Sequence, residues 1–328
     1  MRESYSIIVE MENAKSIDWH EIGVGLMALA REIKAATDFG YAAKPQVVFV
    51  HSGEPGDTVL LQDEVAARVP ELGTAAALTF AALPGGRYYE LKNLGIAEAT
   101  GEIVIFCDSD TVVEPGWLPV LLTPFENART VVVNGYTYLG HDDFASRTFA
   151  LLWFFPLRDH DQRFAAKRAL NANNSALRRS WLAGHPFPQS NGFKVSCTLL
   201  NHQLRVEGHD MVRVEALANH YPPRGLGFFW WRALVTGRDA DRKYSILTTV
   251  SRPRRVLKAL RRWVSASWRV SLRIATHARS TGMPVWQVPL AVAAGLVFNS
   301  LVLVGQFGMA TGLMKDKVER VPAYVGHS

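Results

Sequence analysis

The run Ile103-Val-Ile-Phe-Cys107 has no polar interruption, and two acids, Asp108 and Asp110, follow it at once. A strand that is apolar at every position has both faces covered, which places it inside an open, mostly parallel sheet. The segments before it alternate in the same sense. Residues 6–9, 46–50 and 76–82 read as strands, and residues 22–35, 58–69 and 91–99 as helices. The turn signal His51-Ser-Gly-Glu-Pro-Gly56 closes the second strand, and Gly101 sits where a helix stops. This β-α-β alternation predicts an α/β domain whose ligands bind beyond the carboxyl ends of its strands. Further on, residues 131–134, 172–177 and 211–217 read as strands, 197–206 as a helix, and 144–157 as an aromatic helix or hairpin.

Two carboxylates at the exit of a buried strand cost stability unless positive charge sits between them. A divalent cation that also grips a diphosphate meets that need, since magnesium typically takes one or two carboxylates plus phosphate oxygens. Such an ion would offset charge on a departing nucleoside diphosphate. Taken alone, Asp-Ser-Asp reads equally well as a turn with a helix cap.

The neighbours sharpen the reading. The run Tyr88-Tyr-Glu-Leu-Lys-Asn-Leu-Gly-Ile-Ala-Glu-Ala-Thr-Gly-Glu-Ile-Val-Ile-Phe-Cys-Asp-Ser-Asp110, followed by Pro115-Gly-Trp-Leu118, resembles the nucleotide-sugar half of family-2 glycosyltransferases. Lys92, Asn93, Gly101, Glu102, Asp108 and Asp110 match that family's pattern in order and spacing. The resemblance covers about residues 5–220. It implies the GT-A fold, a nucleotide-sugar donor, a Mg2+ or Mn2+ ion and inversion at the sugar's anomeric carbon. It assigns Asp108 and Asp110 to the metal, Asp110 to the catalytic step, and Lys92, Asn93 and Asp108 to the donor.

Other positions depart from the family. The loop after the first strand reads Glu10-Met-Glu-Asn13, so Asn13 alone matches, and Glu12 is a candidate for base or ribose recognition. His51-Ser52 stands where an acid usually touches the base, with Glu54 close behind. Glu12 and Glu54 read equally as solvated loop acids. The helix that normally opens on an acidic pair, with the general base in it, here opens on Phe193-Lys-Val-Ser-Cys-Thr-Leu199 and has no acid. His185, His202 and Asp210 are the nearby candidates for a base. His220, at a strand end, is a candidate for the metal or diphosphate, or a packing residue. Arg232, after Phe228-Phe-Trp-Trp231, is a candidate phosphate ligand, while the aromatics also suit a membrane edge.

From Arg242 to Lys315 there are twelve Lys or Arg and no Asp or Glu; elsewhere 24 basic and 30 acidic residues leave a balance of −6. A basic block of this kind could serve a nucleic-acid partner, but a long charge-free run comes directly after it and favours a membrane. Residues 254–279, taken as a helix, gather their basic residues on one side and Val, Leu, Ile and Trp on the other, as on an anionic leaflet. Residues 280–314 then carry no charge, and about 20 apolar residues cross a bilayer. The expected organisation is a GT-A domain over 1–225, a linker and basic amphipathic helix over 226–282, a transmembrane or membrane-embedded segment over 283–314, and a tail over 315–328. A re-entrant or interfacial segment is the alternative to a full span. The acceptor is expected to be a glycan or lipid-linked group, at the cell membrane, with the catalytic domain cytoplasmic, since no signal peptide is visible. Cys107 and Cys197 lie in apolar stretches and read as core residues. A non-catalytic nucleotide-sugar binder or scaffold is the second reading, and a nucleotidyltransferase the third.

Overall fold

The computed structural model describes residues 3–12, 14, 17–41, 44–152, 155–158, 170–222 and 224–319. Its frame is a mixed sheet built around the apolar strand that ends in Asp108. Four parallel strands come first: β1 (Tyr5–Glu10), β2 (Gln46–His51), β3 (Ala77–Ala82) and β4 (Ile103–Asp108). The short β5 (Thr111–Val113) follows, then β6 (Val132–Leu139), β7 (Asn174–Arg178) and β8 (Met211–His220). The order across the sheet is β3-β2-β1-β4-β7-β6-β8-β5. β7 runs antiparallel to β4, and β5 antiparallel to β8.

Both faces of β1 and β4 are covered, as their uninterrupted apolar runs require. Alternate residues serve opposite layers. Ile7, Val9, Ile103, Ile105 and Cys107 pack with α1 (Trp19–Asp38), α2 (Asp57–Arg68), α3 (Pro70–Ala75) and α5 (Trp117–Leu122). Ile8, Val104 and Phe106 face the other way, against α4 (Tyr88–Glu98) and α8 (Val195–Val206). A Cβ at Gly101 would collide with the backbone of Tyr5, and the Gly101 amide donates to Ser6 Oγ at 2.8 Å. That close approach sets the entry of β4 beside β1. At its other end, Trp117 is fully buried and its indole N–H donates to Asn174 Oδ1 at 2.8 Å, tying α5 to β7.

The helices α6 (Phe144–Leu152) and α7 (Arg179–Leu182) complete the part built on the sheet. The stretch expected to open as a linker instead folds as a 22-residue helix, α9 (Leu226–Leu247). It joins α10 (Arg252–His277) and α11 (Val288–Thr311) in a three-helix layer. The end of α9 meets the start of α10 through Arg255–Asp241 at 2.7 Å and Lys258 over the Tyr244 ring at 3.7 Å. α11 runs beside α9 in the same direction, with Phe298 against Phe229 and Gln306 against Gly237. A third core, with Phe149, Leu151, Phe228, Ile274 and Ala291, fastens this layer to α6.

Candidate active site

The parallel register sets Glu10 of β1 beside Asp108 of β4, so two acids meet at the carboxyl edge of the sheet. Lys92, fully buried on α4, answers them. Its Nζ donates to Asp108 Oδ1 at 2.7 Å, and the Tyr88 hydroxyl donates to Asp108 Oδ2 at 2.7 Å. Lys92 and Tyr88 are spaced i, i+4, which puts both on the helix face above β4. Burial first, then the charges of Asp108 and Glu12, raises the Glu10 carboxyl well above its ordinary range.

Asp110 follows the strand end, and β8 returns to it through the β5 pairing, in which Thr111 faces His220. His220 Nε2 lies 3.3 Å from Asp110 Oδ2. The other ring nitrogen, Nδ1, lies 2.6 Å from the Tyr221 carbonyl, which can only accept. In the neutral ring this leaves the Nε2 lone pair facing a carboxylate oxygen, an arrangement that calls for a proton or a cation between them. Asp110 Oδ1 is buried and makes no hydrogen bond among the described residues. Burial chiefly, and Asp108 next to it, raises the Asp110 carboxyl above its ordinary value, with His220 and Lys194 acting the other way.

Basic groups close the opposite side. Lys194 precedes α8, with its ammonium 4.8 Å from the Tyr88 ring centroid and 4.9 Å from that of Phe193. Its pKa is lowered by burial and then by the neighbouring Arg232 guanidinium. Arg232, buried on α9, lies 5.1 Å from the Phe193 ring centroid. The first turn of α8 has no acid of its own. Asp239 of α9 fills that place in space: its carboxylate accepts from the Phe193 amide at 3.2 Å and the Lys194 amide at 2.7 Å. Arg242 donates to the same carboxylate at 3.1 Å, so Asp239 is spent on positioning the loop.

Residues 84–183, which contain this strand, its two acids and Lys92, match the family described as Glycosyl transferase family 2. That stretch belongs to glycosyltransferase family 2. Among solved structures, a mannosyltransferase from Pyrobaculum calidifontis, in complex with GDP-Man and Mn2+, superposes with a TM-score of 0.53 at 15% identity, over 94% of this chain and 87% of that one. Glucosyl-3-phosphoglycerate synthase from Mycobacterium tuberculosis, in complex with phosphoglyceric acid, gives 0.45 at 16% identity, over 74% of this chain and 79% of that one. At such identities the first of these establishes the GT-A fold and nothing finer, and the second carries no argument. No curated protein matches the chain.

The expected site residues of the glycosyltransferase fall into groups. Asp108, Asp110, Lys92, His220 and Arg232 surround one edge of the sheet. Glu12 and Asn93 line a neighbouring cleft with Tyr88, Tyr89, Phe187 and Ser196. Asn93 also holds the cleft's rim in place, accepting from the Phe187 amide at 2.8 Å and donating to its carbonyl at 2.9 Å. Ser52 sits just past β2, and its carbonyl accepts from Gly85 at 2.9 Å. Glu54 is exposed in the following turn. Asn13 lies outside the described residues. Among the described residues no group of three or more His, Cys, Asp or Glu could hold a metal. An ion at Asp110 and His220 would thus draw its remaining ligands from the donor and water.

The three candidate bases go elsewhere. His185 stacks on Trp181 and reaches Glu207 at 2.9 Å, while His202 and Asp210 are exposed. None of them lines the cleft. Sequence reasoning overlooked Glu10, Lys194 and Asp239. Lys194 carried a signal, since it stands at the helix start where relatives keep an acid. Asp239 carried none, because only the packing of α9 on α8 brings it there.

Proposed function

We infer that this transferase moves a sugar from a nucleoside-diphosphate sugar to an acceptor, with a divalent cation at Asp110 and His220. The observation that carries the reading is the buried Asp110 carboxylate, with one oxygen bare of hydrogen bonds and the other facing the His220 ring nitrogen. Mn2+ and Mg2+ both suit such an oxygen and imidazole pair completed by phosphate. When bound, the ion supplies positive charge that offsets the charge growing on the departing diphosphate.

The chain's own groups do the rest. Asp108 keeps Lys92 and Tyr88 in place, so the floor of the site is fixed before the donor arrives. Lys194 and Arg232 present positive charge to the diphosphate, and Arg232 does so with a planar fork. Glu12, Ser52 and Asn93 lie on the side of the carboxyl edge that suits the base and ribose. Inversion at the anomeric carbon is what the family resemblance implies. The acceptor side offers cations in place of a carboxylate base. Such a site suits a nucleophile that is already an anion, which needs no proton removed. A phosphate on a lipid has that chemistry, and a helix long and apolar enough to cross a membrane, Val285–Thr311, lies in the same chain. We therefore take the acceptor to be membrane-borne and the enzyme to be membrane-attached, with its catalytic half on the cytoplasmic side.

The test is a screen of nucleoside-diphosphate sugars for hydrolysis, and for transfer to a polyprenyl phosphate, with and without Mn2+. The reading expects one nucleotide class to be turned over only with the ion. The acid-free start of α8 supports a second reading, a nucleotide-sugar binder without transfer. Tight metal-dependent binding of a donor with neither hydrolysis nor transfer would favour it.

A further inference from the structure

α11 is built inside out. Its buried side carries Ala291, Gly295, Asn299, Gly305, Gln306, Gly308 and Ala310, with Val302 the one larger apolar residue among them, while Leu290, Leu296, Val297, Val304 and Phe307 are exposed. Water-soluble helices do the reverse; helices that meet lipid bury small and polar residues against neighbouring helices and turn large apolar ones outward. The contact is close enough to need the small residues. A Cβ at Gly305 would collide with the Leu234 carbonyl, and one at Gly237 with the Val302 carbonyl.

α10 continues the apolar surface. Leu257, Leu260, Val264, Trp268 and Leu272 follow at spacings of three or four residues and are all exposed, Val264 to 60% and Trp268 to 70%. At 3.6 residues per turn they form one stripe. Arg254, Arg261 and Arg269 stand along one border of it, exposed. At its other border the Trp263 indole donates to Ser300 Oγ at 3.2 Å, joining the stripe to the outer face of α11.

A full crossing by α11 conflicts with this packing. α10 lies antiparallel along α11, from Val270 and Ile274 against Gly295 to Arg255 near the Ala310 carbonyl. A bilayer deep enough to hold α11 lengthwise would also hold the Arg261, Arg262 and Arg269 side chains of α10, and charged side chains within hydrocarbon are costly.

We propose that α10 and α11 form a one-sided membrane seat, lying in the plane of an anionic leaflet with their shared apolar face in the acyl boundary and the α10 arginines among the headgroups. This deepens the membrane attachment proposed above and rests on it. The occupant is a lipid surface because an apolar stripe bordered by cations is complementary to acyl chains beneath anionic headgroups. A second copy of this chain would bring like charges together.

The test uses the full chain. Binding is measured to phosphatidylcholine vesicles with and without phosphatidylglycerol. Single cysteines placed at exposed Ser280 and Lys315, on either side of α11, are then labelled from outside sealed vesicles with a membrane-impermeant maleimide. The native Cys107 and Cys197 are buried. The seat predicts that Ser280→Cys and Lys315→Cys label equally. It also predicts that Arg261→Gln/Arg269→Gln binds anionic vesicles about thirtyfold more weakly, and that Val264→Glu/Trp268→Glu loses binding altogether. Both double variants should keep wild-type affinity for nucleoside diphosphate, which separates lost seating from lost folding. Vesicle binding with one cysteine labelled and the other protected would overturn the seat in favour of a span. Failure of the wild-type chain to bind either vesicle would overturn the attachment itself. A stable dimer that Val264→Glu/Trp268→Glu dissociates would assign the face to a second copy.

Discussion

The Nε2 atom of His220 stands 3.3 Å from Oδ2 of Asp110, and no hydrogen bond from the described residues reaches Asp110 Oδ1. A carboxylate and an imidazole lone pair hold that position stably only around a positive charge. The Tyr221 carbonyl, 2.6 Å from Nδ1, fixes the ring so that Nε2 is the atom presented. The β5–β8 pairing and the strand end of β4 thus hold the two side chains in place ahead of any ligand.

His220→Gln should therefore weaken Mn2+ and donor binding together while leaving thermal unfolding close to wild type, because His220 lies at the sheet's edge. Titration of Mn2+ in the presence of UDP or GDP measures this. Unchanged Mn2+ affinity would remove His220 from the site.

Lys92 holds a different balance. It is the cation that touches Asp108, with Glu10 packed alongside. Lys92→Met should cost about 3–5 kcal/mol of stability, as breaking one side of a buried pair does. Denaturant unfolding is the measurement. Lys92→Met/Asp108→Asn should recover part of the loss, since the second change removes the stranded charge.

The pH dependence of metal binding follows from the Asp110 carboxyl, which burial raises above its ordinary 3.8. The cation binds the ionised form, so a proton competes with it. Through this group, affinity should fall by about tenfold per pH unit below the raised pKa. In the metal-free protein the sign is opposite. The folded state holds the proton more tightly than the unfolded chain, so this group's contribution to stability declines as pH rises from about 4 toward the raised value. Unfolding measured with and without Mn2+ across pH should show the two trends diverge.

The catalytic floor was legible in the sequence because local rules fix it. The apolar run 103–107 demanded a covered strand, and the resemblance to family 2 singled out Lys92, Asp108 and Asp110, although not the Lys92–Asp108 contact. Glu10 lay in plain view yet went unread, since its meaning depends on the β1–β4 register. α9 falls at the start of the stretch 226–282 that was expected as a linker and basic amphipathic helix. Its Asp239, Asp241 and Arg242 are buried: Asp239 accepts from the amides that open α8 and pairs with Arg242 within the helix, and Asp241 pairs with Arg255 of α10, none of which a local pattern announces. The candidate bases His185, His202 and Asp210 were chosen by nearness along the chain, and folding sent them to the outside.

Gly237 tests the packing of α9 on α11. Gly237→Val should force α9 and α11 apart, because its Cβ would meet the Val302 carbonyl and approach the Gln306 amide at 2.7 Å. Overpacking of this kind costs about 1–3 kcal/mol. Circular dichroism melting of the full chain in detergent should show a lowered transition. An unchanged transition would mean that the helices are not held together along this line.

The central claim is that Asp110 binds a cation that in turn holds a nucleoside diphosphate. Isothermal titration of UDP and GDP into wild type and Asp110→Ala, each with Mn2+ and with EDTA, tests it most directly. The account predicts tight binding of one nucleotide to the wild type with Mn2+, weak binding with EDTA, and equally weak binding to a folded Asp110→Ala under both conditions. Equal affinity of wild type and Asp110→Ala, each unaffected by Mn2+, would contradict it.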